Sequence, residues 1–151
     1  CLQLHSESGD VRLDLPVRKG ISLAGDFHEN GDVAPVFIAT CGSGFSLLGK
    51  KLYESDQYQL YMLLHGFGEQ LAETLAAAMQ RQIRQELKLA PGQGKRFSPG
   101  FPAWPDLADQ EKLVRLLGAG TIGVSCSDSF QLVPELSVSA MVVCHPQAEY
   151  L

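Results

Sequence analysis

Apolar residues recur every three or four positions through the middle of the chain: Leu60, Leu63, Leu64, Phe67, Leu71, Leu75, Ala78, Met79 and Ile83. That spacing predicts one long amphipathic helix over residues 56–87, with Asp56 as its cap and the stripe turned to the core. Gly66 and Gly68 interrupt it, a pairing that marks a kink or the close approach of another backbone. Residues 45–53 carry a shorter helical pattern, and residues 107–117 another, with Asp106 as cap and Asp109 completing an imperfect capping box. The β-branched and aromatic run at 34–40 predicts a buried strand. Three more are expected at 121–126, 130–133 and 137–144, joined by turns so short that neighbours must run antiparallel. Residues 11–15 alternate with period two and predict an edge strand. The polar residues 29–32 form an Asn-Gly turn, with His5 and His28 read as exposed turn histidines. Strands without repeated strand–helix units exclude a Rossmann fold or a TIM barrel. The expected class is α+β: an antiparallel sheet with one dominant helix and one or two smaller ones on its face.

Residues 96–106 break every periodicity. Arg96-Phe97-Ser98-Pro99-Gly100-Phe101-Pro102-Ala103-Trp104-Pro105-Asp106 holds three prolines and the only tryptophan. Prolines lack a donor and restrict their predecessors, so neither a helix nor a central strand fits. The aromatic content argues for an ordered loop, held in shape by its prolines. Arg96 offers a planar donor fork suited to a carboxylate, although a surface cation at the end of a turn accounts for it equally. Gly100 either allows close approach of a ligand or adopts positive φ.

The 151 residues suffice for a single domain with a sizeable core. The net charge of -5 and the lack of a basic block argue against nucleic acid or an anionic membrane as partner. No apolar run is long enough to span a bilayer, and no apolar leader stands at the N-terminus, so a cytoplasmic protein is expected. Four cysteines without a C-x-x-C pair read as buried free thiols. No nucleophile triad, metal cluster or G-x-S-x-G setting is present in the pattern, so no catalytic residue and no metal ligand is assigned. The Cys41-Gly42-Ser43-Gly44 segment reads either as a tight turn into a helix or as a weak cradle of N–H groups.

The order R-F-S-P-G-F-P-A-W-P-D, a helix, I-G-V-S-C-S-D-S-F-Q-L-V-P-E-L-S-V-S-A and then C-H-P resembles one family. It is similar to the activation domain of cobalamin-dependent methionine synthase and to short stand-alone relatives of that domain. The family loop reads R-x-x-x-G-Y-P-A-C-P-D. The resemblance covers roughly residues 20–150, leaving 1–19 as an extension or linker. It implies a C-shaped fold around a twisted antiparallel sheet. It also implies binding of S-adenosylmethionine for reductive methylation of cobalamin, which a partner domain or corrinoid protein carries, with electrons from flavodoxin or another reductase. On this resemblance Arg96 holds the methionine carboxylate, Ser98, Pro99, Gly100 and Phe101 contact the ligand, and Glu73 answers its amino or sulfonium side.

This chain departs from the family at several points. Phe101 stands for the tyrosine, Trp104 for the cysteine, Asp128 for a glutamate and Ala140 for a glycine. Met141, Val142 and Val143 occupy the stretch in which the family carries a ligand-facing tyrosine, which makes Val142 the expected opposite wall of the site. Two further readings follow: a docking module for corrinoid proteins with a degenerate ligand site, and a component of a corrinoid methyltransferase with another acceptor.

Overall fold

The computed structural model of the chain describes residues 2–6, 9–13, 15, 32–145 and 148. Cys1, His28 and Pro146 lie outside the described residues, as does the expected turn at 29–32 except for Asp32. In chain order the elements are β1 (Leu2–Ser6), β2 (Gly9–Leu13), β3 (Val36–Thr40), α1 (Ser43–Glu54), α2 (Tyr58–Glu86) and β4 (Lys95–Phe97). There follow α3 (Asp109–Leu116), a 3-10 turn (Ala119–Ile122), β5 (Ser125–Cys126), β6 (Leu132–Val133) and β7 (Ser137–Val143).

β7 is the middle strand of a three-stranded antiparallel sheet, ordered β3-β7-β4. Its alternate side chains enter two different cores. Met141 and Val143 pack with Phe97, Trp104, Leu113 and the hairpin residue Leu13. Ala140 and Val142 pack with Phe37 and with Ala76 of α2. A strand covered on both faces needs apolar side chains at successive positions, which is why residues 140–143 read as a continuous apolar run.

α2 lies on one face of this sheet, but turned from the expected orientation. Leu60, Leu63 and Phe67 are more than half exposed, while the buried positions are Gly68, Ala72 and Ala76. The reason is steric: small residues let the helix axis come close to the strands, where the larger side chains of the stripe would hold it off. Gly68 shows the same closeness toward the segment before β7 and toward α1. A Cβ there would lie 2.3 Å from Leu136 Cδ1 and 3.1 Å from Phe45 Cδ1, whereas Gly66 faces open space.

Other expectations change locally. Residues 121–126 form the end of the 3-10 turn and a two-residue strand rather than one strand, because Gly118 and Gly123 take φ of 58° and 74° on either side. The expected single sheet is three: β1–β2, β3–β7–β4 and β5–β6. β6 therefore pairs with β5 and not with β7. β1 was not foreseen, because its period-two pattern of Leu2 and Leu4 is only two apolar residues long; His5 sits in it, 2.9 Å from Asp10 Oδ1. Asp56 does not cap α2: Gln57 holds that position, and Asp56 accepts from the Tyr58 hydroxyl at 2.9 Å with φ of 57°. Arg96 and Phe97 belong to β4 at the sheet edge, so the proline-rich loop begins at Ser98.

The two α2 glycines give a direct test of the close approach. Gly66→Ala is expected to raise stability by up to about 1 kcal/mol through helix propensity. Gly68→Ala must displace buried Leu136 and is expected to lower it by about 1–3 kcal/mol. Denaturant unfolding of both variants measures this, and a stabilised Gly68→Ala would contradict the packing.

Candidate ligand-binding site

β4 ends at Phe97, opposite Met141. Beyond that point the chain leaves the sheet, and the Ser137, Val138 and Ser139 half of β7 has β3 on one side and a cavity on the other. The cavity holds about 490 Å³ and is closed by Glu73 of α2, by Arg96, Ser98, Pro99, Phe101 and Pro102, and by Gln110 of α3.

Strand alternation decides where Arg96 points. It pairs with Val142, whose side chain faces α2, whereas its neighbour Phe97 pairs with Met141 and enters the other core. Arg96 is thereby carried to the α2 side, where its Nη2 donates to Glu73 Oε2 at 2.5 Å. The arginine side chain is 20% exposed and the glutamate 56%. A largely covered guanidinium held by a water-facing carboxylate is a contact that an incoming carboxylate can replace.

The loop is fixed from behind. The Gly100 N–H donates to the Trp104 carbonyl at 2.8 Å and the Trp104 N–H to the Phe101 carbonyl at 2.8 Å, closing a tight turn. Trp104 is fully buried, and its Nε1–H donates to Asp109 Oδ2 at 2.6 Å. Asp109 is itself buried and accepts from Lys112 Nζ at 2.6 Å. The aspartate read as part of a capping box is thus the anchor of the loop. α3 starts two residues later than expected, and the Asp106 carboxylate instead accepts from the Ala108 N–H at 3.0 Å. Gln110 was not singled out either; its amide donates to the Phe130 carbonyl at 3.0 Å and accepts from the Ser139 hydroxyl at 3.1 Å. A polar residue buried by its hydrogen bonds leaves no periodic signal.

Of the six residues assigned to a ligand, Glu73, Arg96, Ser98, Pro99 and Phe101 line this cavity. Gly100 does not. Its φ of 89° is set by the turn, and a Cβ there would lie 2.9 Å from Leu107 Cδ1, so glycine is required by the loop's own packing. Phe101, which lines the cavity, is 64% exposed as a residue. Val142 is no wall of the site: it is fully buried under α2, and Ser137, Val138 and Ser139 provide that side instead.

Elsewhere, a cleft of about 610 Å³ lies between α1, α2 and the segment before β7, lined among others by Phe45, Tyr61, His65 and Pro134. It is the larger of the two, yet it contains none of the six residues. Cys41 and the residues 42–44 make a tight turn into α1: the Gly42 N–H donates to Thr40 Oγ1 at 3.0 Å and the Cys41 N–H to the Leu136 carbonyl at 2.9 Å. Cys41, Cys126 and Cys144 are free, and burial pushes all three thiols up from the ordinary value, which keeps them protonated at neutral pH. Among the described residues no three His, Cys, Asp or Glu side chains converge as a metal site would require, and no helix is long and apolar enough to cross a membrane.

The family model for the vitamin B12-dependent methionine synthase activation domain matches residues 21–151. The chain belongs to that family. It is 36% identical over 138 residues to the methionine synthase of Mycobacterium tuberculosis (strain ATCC 25618 / H37Rv), an alignment covering 79% of this chain and 12% of that protein. The methionine synthase of Mycobacterium leprae (strain TN) is likewise 36% identical over 138 residues, with 79% of this chain and 11% of that protein covered. The chain therefore spans about an eighth or less of the length of these relatives. Among solved structures, the MetH reactivation domain bound to AdoHcy superimposes with a TM-score of 0.71 at 23% identity, covering 78% of this chain and 41% of that one. That likeness shows the fold: the α+β activation-domain architecture with antiparallel sheets.

Within this activation-domain fold, Asp109 should matter far more than Asp106. Asp109→Ala leaves the Trp104 indole N–H and the Lys112 ammonium without their buried partner and is expected to cost about 2–4 kcal/mol. Asp106→Ala removes one exposed turn contact and should cost less than about 1 kcal/mol. Equal losses in chemical denaturation would remove Asp109 from its place as anchor.

Proposed function

We propose that this activation-domain chain binds S-adenosylmethionine in the cavity beside β7 and presents it for reductive methylation of cobalamin. The observation that carries the reading is the Arg96–Glu73 pair, which brings one cationic and one anionic group together on the wall of a cavity of about 490 Å³. That volume lies in the range of small-molecule sites, roughly 300–1,000 Å³. The ligand has a matching charge pair. Its carboxylate would replace Glu73 on the guanidinium, and Glu73 would then face the ammonium and sulfonium charges, an attraction that partial burial strengthens. The adenosine would lie along the 98–101 loop, with the Phe101 ring as an apolar surface.

Cobalamin, supplied by a partner domain or corrinoid protein, is the methyl acceptor in this scheme, and flavodoxin or another reductase provides the electron. The residues here bind and orient the methyl donor, and none is assigned a bond-breaking step. The setting proposed is cytoplasmic, within the transfer of methyl from methyltetrahydrofolate to homocysteine.

A second reading is a corrinoid-docking module whose ligand site has decayed. It is favoured by the same ion pair, which satisfies Arg96 and Glu73 mutually, and by the burial of Val142 in the stretch that the family resemblance gives to a tyrosine. Calorimetry separates the two. S-adenosylmethionine is expected to bind saturably, and Arg96→Ala to weaken it at least about tenfold through loss of a charge-assisted pair. No heat at millimolar ligand would select the docking module.

Glu73 has its own signature. Glu73→Gln should reduce affinity for S-adenosylmethionine more than for S-adenosylhomocysteine, which lacks the sulfonium charge, by about threefold to tenfold in the ratio. An unchanged ratio would place Glu73 away from the sulfur.

A further inference from the structure

β7 has an open edge where β4 stops, and the hydrogen-bond ladder fixes which groups that edge presents. In an antiparallel strand the N–H and carbonyl of one residue point to the same side, and those of the next residue to the other. The Val142 N–H donates to the Pro35 carbonyl at 2.8 Å and the Cys41 N–H to the Leu136 carbonyl at 2.9 Å, so the even-numbered residues from 136 to 142 turn toward β3. The odd-numbered ones turn toward β4. Val143 and Met141 meet Lys95 and Phe97 there, and the same register would bring Pro99 opposite Ser139. Proline has no N–H to give, and at Pro99 the chain turns away. The main-chain groups of Ser137 and Ser139 therefore face the cavity instead of a strand.

The serine side chains are engaged elsewhere. The Ser139 hydroxyl donates to Gln110 Oε1 at 3.1 Å, and the Ser137 hydroxyl lies 2.6 Å from the Pro134 carbonyl and 2.8 Å from Thr40 Oγ1. What the edge offers is an N–H beside a carbonyl. Ser139 is 3% exposed, and main-chain groups covered to that degree require a partner. A flat group that both donates and accepts along one side fits them. With the methionine end of the ligand held by Arg96 and Glu73, the nucleoside is left for this edge. Its adenine base has the matching side: N1 accepts and the exocyclic amine donates. Ser139 stands three strand residues from Val142, the partner of Arg96, about 10 Å along β7, a separation that an extended aminoacyl nucleoside spans.

We propose that the open edge of β7 at Ser139 reads the adenine base, the Ser139 N–H donating to N1 and a carbonyl of the same edge accepting from the exocyclic amine. Pro99 makes the site by ending β4 where the base enters. The inference rests on the S-adenosylmethionine reading and adds to it a base specificity and the strand that imposes it.

Calorimetry with S-adenosylmethionine and its hypoxanthine counterpart tests it. In hypoxanthine N1 carries a proton and a carbonyl replaces the amine, so donor meets donor and acceptor meets acceptor. The counterpart should bind at least about thirtyfold more weakly. Ser139→Ala removes the hydroxyl but keeps the N–H, and should keep that preference. In amide NMR spectra, the Ser139 proton should shift downfield on saturation with S-adenosylmethionine and exchange with solvent at least about tenfold more slowly. Equal affinity for the two bases overturns the proposal and leaves the ligand reading standing. A Ser139 amide indifferent to bound ligand does the same, as does loss of the preference in Ser139→Ala, which would hand the base to the hydroxyl. Absence of any S-adenosylmethionine binding removes both readings at once.

Discussion

The burial of β7 on both faces is the constraint on which the rest depends. A strand with solvent on one side already resists slippage, because a one-residue shift would carry its whole apolar set from the core into water. Here a shift would drive Met141 and Val143 into the space that Ala140 and Val142 occupy under α2, where the helix approaches on Gly68, Ala72 and Ala76. Register is therefore held by volume as well as by hydrogen bonds. Everything paired with β7 inherits that register. Arg96 faces α2 because it pairs with Val142, and Phe97 faces the opposite core because it pairs with Met141. The direction of a single guanidinium follows from the side-chain volumes of a neighbouring strand.

Behind the cavity, order is supplied by a different means. Trp104 inserts its indole into the main core and gives its indole N–H to Asp109, whose charge is balanced by Lys112. A buried carboxylate without those partners would be strongly unfavourable, so the three residues stand or fall together. The result is a loop with one side locked to α3 and the other, with Phe101 at its tip, open to solvent. Such a loop has lost its conformational entropy on folding, and a ligand meeting it gives up less on binding.

Sequence reasoning reached the class, the extents of α1 and α2, and the place of the proline-rich loop, because those depend on local patterns: helical spacing, a β-branched run, clustered prolines. The family motif placed Glu73 and Arg96, and the structure sets them on one cavity wall. What periodicity misjudged was the rotation of α2. The hydrophobic stripe from Leu60 to Leu75 and the small-residue stripe of Gly68, Ala72 and Ala76 compete for the sheet, and the moment of the helix weighs only the first. Close packing chose the second. Asp109 and Gln110 were missed for a related reason. Their burial is justified by single hydrogen bonds to Trp104, Ser139 and the Phe130 carbonyl, residues remote in pattern, and a lone polar residue on a helix reads as surface. Val142 was misplaced because a motif position fixes a residue's strand but not which face of it the covering helix takes.

The rotation of α2 joins these observations. With its small residues inward, the helix sits low enough on the sheet for Glu73 to reach across to Arg96, a hydrogen bond that spans two elements and 23 positions in sequence. A helix turned to bury Leu63 and Phe67 would stand farther from the strands and carry Glu73 to another azimuth, since 100° of rotation separates successive residues. The exposed leucines and phenylalanine are therefore a consequence of building the ion pair. An element that places its small side on the sheet must show its large side elsewhere, and exposed apolar side chains in a line are unfavourable in water unless another surface covers them. Within one helix, the geometry that shapes the cavity beside β7 on one side leaves large apolar side chains exposed on the other.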